Sequence, residues 1–161
     1  MPKITPELNE ALNSQIKLEL DSSYIYLAYS YWFIEHELVH LANFYKTHAE
    51  EERSHAFKFA DFIVEAGGSV KYLPIAEPKL ASSVDEILEA TLKHEEHVSS
   101  AIHTLYKTFV EEKKEYIAKS ILDWFINEQI EEEDQIRKFI QIRSYITNDF
   151  FFDHRIKRMN E

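Results

Sequence analysis

The chain contains no cysteine. That excludes disulfides, iron–sulfur clusters and thiolate-bound metals. Glycine occurs twice and proline four times in 161 residues, too few for a turn-rich β protein. No apolar run reaches the ~18 residues of a membrane span. The opening stretch, "MPKITPELNEALNSQIKLEL", has neither the apolar run nor the small-residue cleavage site of a signal peptide. Positive charge is also scarce: 18 Lys and Arg against 29 Asp and Glu leave a formal net charge of −11. That balance argues against a nucleic-acid partner and favours a protein that collects cations. A soluble, cytoplasmic protein without a membrane partner is expected. Hydrophobic residues make up 45% and aromatic residues 14% of the chain, enough for one core in a single domain over residues 1–161.

Apolar periodicity of three and four residues predicts four long helices. Thr5 followed by Pro6 starts the first, whose face is Leu8, Leu12, Ile16, Ser23, Leu27, Ser30 and Ile34. The pattern weakens at "HELVH", and a second helix runs from about Leu41 to Ala66, stopped by Gly67 and Gly68. Residues 69–82 hold two prolines and no helical period. Ser83 and Glu86 have capping-box spacing ahead of a third helix with Val84, Leu88, Thr91, Val98, Ile102, Leu105 and Phe109 inward. After the charged break "EEKKE", a fourth helix spans roughly Glu115 to Ile146, with Ile121, Phe125, Phe139 and Ile142 inward. "FFFDHRIKRM" predicts a short fifth. The loop before helix three reaches ~46 Å at ~3.3 Å per residue, enough to traverse a bundle of ~40 Å helices. The expected fold is therefore all-α, a four-helix bundle with one long crossover between helices two and three and a short C-terminal helix.

Each apolar stripe is interrupted by acid at mid-length. Glu19 stands on helix one, Glu52 and His55 on helix two, Glu95 on helix three, and Glu128, Glu131 and Glu132, with Gln129 among them, on helix four. Residues three apart share a helix face, so Glu52 and His55 point the same way. All four groups lie near the middle of the bundle. Burying such charges costs several kcal/mol per ion, and like charges repel. Arg53 and Lys93 project away from the stripes and offset nothing. A pair of divalent metals offsets it, and oxygen-rich ligation with one histidine suits iron or manganese. Two ferrous ions side by side can supply two electrons to bound oxygen, a ferroxidase chemistry.

The motifs "LELDSSYIY", "AEEERSH", "LKHEEH" and "FINEQIEEE" resemble, in this order, those of the bacterial non-haem ferritins, and the similarity extends over essentially the whole chain. The resemblance implies an iron-storage protein with ferroxidase activity, using dioxygen or hydrogen peroxide, assembled as a hollow 24-subunit shell around ferric mineral. It implies one iron held by Glu19, Glu52 and His55, and a second sharing Glu52 and adding Glu95, with Gln129 close by and Glu132 reaching in. It also implies a third, inner-surface iron on Glu51, Glu128, Glu131 and Glu132. Tyr26 matches a tyrosine beside the di-iron centre and Trp124 an aromatic neighbour. Haem-binding bacterioferritins carry methionine where this chain has Arg53, so no haem is expected. They also have histidine where Glu131 stands, so the second iron should be held by carboxylates alone.

Plainer readings stand beside these. Tyr26 can be an ordinary core tyrosine, Trp124 packing, His48 a satisfied structural histidine, and His94, His97 and His103 parts of solvated faces. Tyr24, Tyr29, Tyr31 and Trp32 lie partly off the core stripe and suggest subunit contacts. A rubrerythrin-type di-iron enzyme would need cysteine and a second Glu-x-x-His. A purely structural bundle would need apolar residues at Glu19, Glu52 and Glu95.

Overall fold

The computed structural model describes residues 4–159. Its helices are α1 (Pro6–Glu35), α2 (Val39–Glu65), α3 (Val84–Leu105), α4 (Lys119–Tyr145) and α5 (Asp149–Met159). There is no strand among the described residues. α1 pairs chiefly with α2, and α3 with α4. This is the expected four-helix bundle with a long crossover and a short fifth helix.

Local chemistry explains most helix ends. Thr5 Oγ1 accepts the Leu8 N–H at 3.2 Å, with proline in the first turn. α2 closes in a Schellman motif: Gly68 N–H bonds Ile63 O at 2.8 Å and Gly67 N–H bonds Val64 O at 3.0 Å. Gly67 has φ 82°. A Cβ on Gly68 would stand 2.3 Å from Asn9 Oδ1, so a side chain there would displace Asn9 from its bond to Ser69 N–H. Ser83 Oγ caps Glu86 N–H at 3.1 Å, and the Glu86 carboxylate reaches back to Ser82 N–H at 3.0 Å, one residue further than a simple capping box.

Two stretches differ from the periodicity. The third helix was expected to stay α-helical through Phe109, but Tyr106–Glu112 is wound as a π-helix. The looser turn buries the adjacent Phe109 and Val110 together. The chain then reverses at Lys114, φ 57°, and passes through a 3₁₀ turn, Tyr116–Ala118. α4 therefore starts at Lys119 rather than Glu115. α2 starts at Val39, two residues before its expected start, and its N-cap residue Leu38 offers no side-chain bond. Buried Asp153 of α5 supplies the cap instead, accepting Leu41 N–H at 2.7 Å and His40 N–H at 3.3 Å.

α1 and α2 are antiparallel and close. Ser23 Oγ donates to Ala49 O at 2.7 Å, and Ser30 Oγ to Ala42 O at 2.8 Å. A step of seven up α1 matches a step of seven down α2, and small residues at both contacts let the backbones approach. The crossover is fastened along α1: Ser69 N–H bonds Asn9 Oδ1 at 2.9 Å, Lys71 N–H bonds Asn13 Oδ1 at 2.6 Å, and Ala76 N–H bonds Asp21 Oδ1 at 2.8 Å. It thus runs in the direction of α1 and delivers α3 parallel to α2.

The apolar core is divided. One cluster holds Leu8, Leu12, Phe59, Ile63, Ile102 and Phe125. The other holds Phe33, Leu41, Tyr45, Leu88, Phe139 and Phe152. Of the aromatics expected at the surface of α1, Tyr24 and Tyr31 are exposed, but Tyr29 is buried, edge-on to Tyr45 at 5.7 Å. Ile34, expected inward, is exposed, and its neighbour Phe33 fills the core.

Asp153→Ala should destabilise the fold by about 1–2 kcal/mol through loss of the α2 cap, with Asp153→Asn retaining most of it. Chemical denaturation of the two variants checks this.

Candidate metal centre

Between the two apolar clusters lies a polar layer. Glu19, Ser22, His48, Glu52, His55, Thr91, Glu95, Ser99, Gln129 and Glu132 are all buried there. Heptad-like stepping produces it: Ala49, Glu52, Ala56 and Phe59 occupy one stripe of α2, so the helix that buries Phe59 also buries Glu52.

Three groups of ligand atoms converge, in each case within 4.8 Å of one another. The first is Glu19, Glu52 and His55. His55 Nδ1 lies 3.4 Å from Glu52 Oε2 and 3.9 Å from Glu19 Oε2. The second is His48, Glu52, Glu95 and Glu132. His48 Nε2 lies 3.2 Å from Glu132 Oε2, 3.4 Å from Glu95 Oε1 and 3.7 Å from Glu52 Oε1. Glu52 is common to both. The third group is His55, Glu128 and Glu132, with His55 Nε2 3.7 Å from Glu128 Oε1.

Protein atoms leave this layer incompletely satisfied. Glu19 Oε2, both oxygens of Glu52, His55 Nδ1 and Gln129 Oε1 are buried without a hydrogen-bond partner. Nearly every buried polar group in a native protein has one. Carboxylate oxygens and an imidazole nitrogen facing one another are the donor set of a hard or borderline divalent cation, so these residues fit bound metal, with Glu52 common to two of the groups.

The electrostatics agree. Burial lifts Glu19 to about 7 and Glu132 to about 8. Glu52 is raised well above the carboxylate range by burial and by repulsion from Glu95 and Glu19. Burial, with the nearby His48 charge, drops His55 to about 4, so its nitrogens are free of the extra proton at neutral pH. His48 goes the other way. Burial opposes its charge, but Glu51, Glu95 and Glu132 overcome that and raise it to about 10. Glu95 is lowered despite burial, because His48, Tyr26 and Gln129 all favour its charged form.

Of the residues singled out in the sequence, Glu19, Glu52, His55, Glu95, Gln129 and Glu132 come together in this layer. Tyr26 is fully buried and donates to Glu95 Oε1 at 2.5 Å. Gln129 Nε2 donates to Glu95 Oε2 at 3.0 Å and to Ser99 Oγ at 3.2 Å. Glu128 is partly exposed and Glu51 exposed at the margin. Glu131 is exposed and belongs to none of the three groups. At ~100° per residue it lies about 100° around the helix from Glu132, at the outer edge of that face. Trp124 lies 5.5 Å from His55 ring to ring and carries Lys58 Nζ 3.9 Å above it. His94 is not simply solvated: its Nε2 is 2.6 Å from buried Ser22 Oγ. Arg53 is exposed. The residue set aside in the sequence and drawn in by the structure is His48. Its signal was its place on the α2 stripe, one turn before Glu52.

A family model described as a ferritin-like domain matches residues 9–144. The chain belongs to the ferritin-like domain family. A bacterial non-heme ferritin from Escherichia coli is 32% identical over 138 residues, covering 85% of this chain and 83% of that protein. One from Staphylococcus saprophyticus is 32% identical over 147 residues, covering 91% and 87%. Among solved structures, the open pore ferritin from Archaeoglobus fulgidus superposes with a TM-score of 0.90 at 32% identity, covering 97% of this chain and 98% of that one. Family membership and the buried Glu/His cluster support iron storage with ferroxidase activity for this ferritin-like chain. No helix among the described residues is long and apolar enough to cross a membrane.

The raised acids set a pH dependence. Glu19 and Glu132 keep protons in the folded state that an unfolded chain releases near 4.5. His48 keeps one that an unfolded histidine releases near 6.5. Their stabilisation is complete below those ordinary values and is lost as pH rises toward about 7, 8 and 10. Thermal melts of chelator-treated protein should therefore fall from pH 6.5 to 9. Ferrous iron added without oxygen should remove most of that decline, since an ion replaces the protons.

Proposed function

We propose that the polar layer is a ferroxidase centre that takes ferrous iron as substrate, and that the chain stores the ferric product inside a self-assembled shell. The observation that carries this is Glu52: a buried carboxylate with both oxygens unpartnered, shared by two groups of ligand atoms. One ferrous ion would be taken by Glu19, Glu52 and His55. A second would be taken by Glu52, Glu95 and Glu132, with Gln129 orienting Glu95. Two ions give up one electron each. Dioxygen accepts the pair with two protons to give hydrogen peroxide, or peroxide accepts it with two protons to give two waters.

Tyr26 fixes Glu95 through its hydroxyl, and its own proton is held tightly by burial and by the charge on Glu95. It therefore acts as a hydrogen-bond donor to the ligand set. Glu51, Glu128 and Glu131 form an acidic margin beside buried Glu132, suited to receive ferric iron leaving the centre. Exposed Tyr24 on α1, with Tyr31, Ile34 and Val39 toward the α1–α2 turn, supports contacts between subunits. A shell of 24 chains is the assembly the non-haem ferritin resemblance implies, and cytoplasmic location follows from the same reading.

Glu52→Ala should slow aerobic oxidation of ferrous iron at least tenfold. Changes around ligands alone cost about 10–100-fold, and Glu52 serves two positions. Stopped-flow absorbance of the ferric product measures it, and equal rates in the two proteins would sink the assignment. Light scattering should show a particle of many subunits, and a monomer would remove the storage role.

A further inference from the structure

We propose that His48 is a nitrogen ligand of the second metal position, completing the set formed by Glu52, Glu95 and Glu132. This rests on the di-iron reading above and adds a donor to it. On α2, His48, Glu52 and His55 follow at steps of four and three, so one helix face presents imidazole, carboxylate, imidazole in order. On α4, the residue three beyond Glu128 is Glu131, which is exposed. No imidazole reaches the second position from that helix. One reaches it from α2.

The geometry is that of neighbouring ligands rather than of a single ion pair. His48 Nε2 stands 3.2, 3.4 and 3.7 Å from oxygens of Glu132, Glu95 and Glu52. Donor atoms bonded to one ion at about 2.0–2.2 Å are separated from each other by roughly 3–3.5 Å. The ring is 4% exposed and is held on two sides, stacked on Phe44 at 5.6 Å and 14°, and tilted against Tyr26 at 4.7 Å. Its far nitrogen, Nδ1, is 3.5 Å from Glu51 Oε2. A carboxylate behind a ligating histidine accepts a hydrogen bond from Nδ1–H, so that once the ion displaces the Nε2 proton the Nε2 lone pair faces the metal. His48 also borders a surface cleft lined by Asn43, Phe44, Thr47, Glu51 and Gln135. Glu51 then acts as a positioning residue for the histidine.

Anaerobic titration of the assembled protein with Co(II) tests this, following visible absorption and bound metal by equilibrium dialysis. Wild type should bind two Co(II) per chain at the layer. In His48→Gln and His48→Leu the first should bind as in wild type. The second should weaken at least tenfold, and its visible bands should shift as a nitrogen donor is lost. Glu51→Gln should weaken the second ion less. A variant of unchanged circular dichroism that still binds two ions with wild-type affinities and spectrum overturns the proposal. So does tighter binding of the second ion, which would make His48 a competing internal cation. If wild type itself binds fewer than two, the di-iron reading fails instead.

Discussion

Everything in this bundle is arranged around a carboxylate, that of Glu52, which the fold buries and then leaves without a partner. A carboxylate carried from water into a protein interior costs several kcal/mol even after relaxation. Here three further acids, Glu19, Glu95 and Glu132, are buried in the same layer. The fold tolerates this by keeping protons on most of them and by placing the His48 charge among them. It does not remove the strain. A helical core could have continued from Phe59 through Glu52 to Tyr45 with hydrocarbon. Instead it is cut into two clusters, and the gap is filled with ligand atoms. Cations are what such a gap is built to accept.

The acids are not equivalent, and the inequality orders the chemistry. Glu95 is tied by Tyr26, Gln129 and His48 and keeps its charge. It is a preformed ligand. Glu19 has one tie, to Gln15 at 3.1 Å, and its other oxygen faces His55. Glu52 has none. The residue that both proposed ion positions require is thus the one whose geometry is set least by the protein, leaving it to be set by the ions. In the proposed centre, metal binding and ordering of Glu52 are one event, and deprotonation of Glu19, Glu52, Glu132 and His48 accompanies it.

What could be read in the sequence was local. The stripes from Leu8, Val84 and Ile121 onward, the Thr5 and Ser83 caps and the Gly67–Gly68 stop are decided within a few residues, and apart from Ile34, whose place Phe33 takes, they appear where the pattern put them. The start of α2 could not be read, because its cap is Asp153, more than a hundred residues away in sequence. The crossover showed no period, because its order comes from Asn9, Asn13 and Asp21 on another helix. The π-helical stretch after Leu105 broke a counting rule that assumes 3.6 residues per turn. In the site, acids interrupting apolar stripes were visible as contradictions of their surroundings. His48 was not, since one imidazole on an apolar face is commonly a satisfied core residue. Only the approach of α3 and α4 brings Glu95 and Glu132 to it. Glu131, named for an inner-surface iron, is exposed: a run of acids looks uniform in sequence, while a helix turns one of them to solvent.

For the proposed storage role, an ion must leave as well as arrive. A centre enclosed on all sides would hold its product. Here the acids grade outward: Glu132 is buried, Glu128 partly exposed, and Glu51 and Glu131 exposed. Glu128 and Glu51 both act on Glu132, so the negative potential is continuous from the core to the margin. An oxidised ion moving along that series exchanges one carboxylate for the next and gains water as it goes. In the proposed role, this acidic margin on one side of the layer is what would make it a site for iron in transit rather than one that keeps its metal.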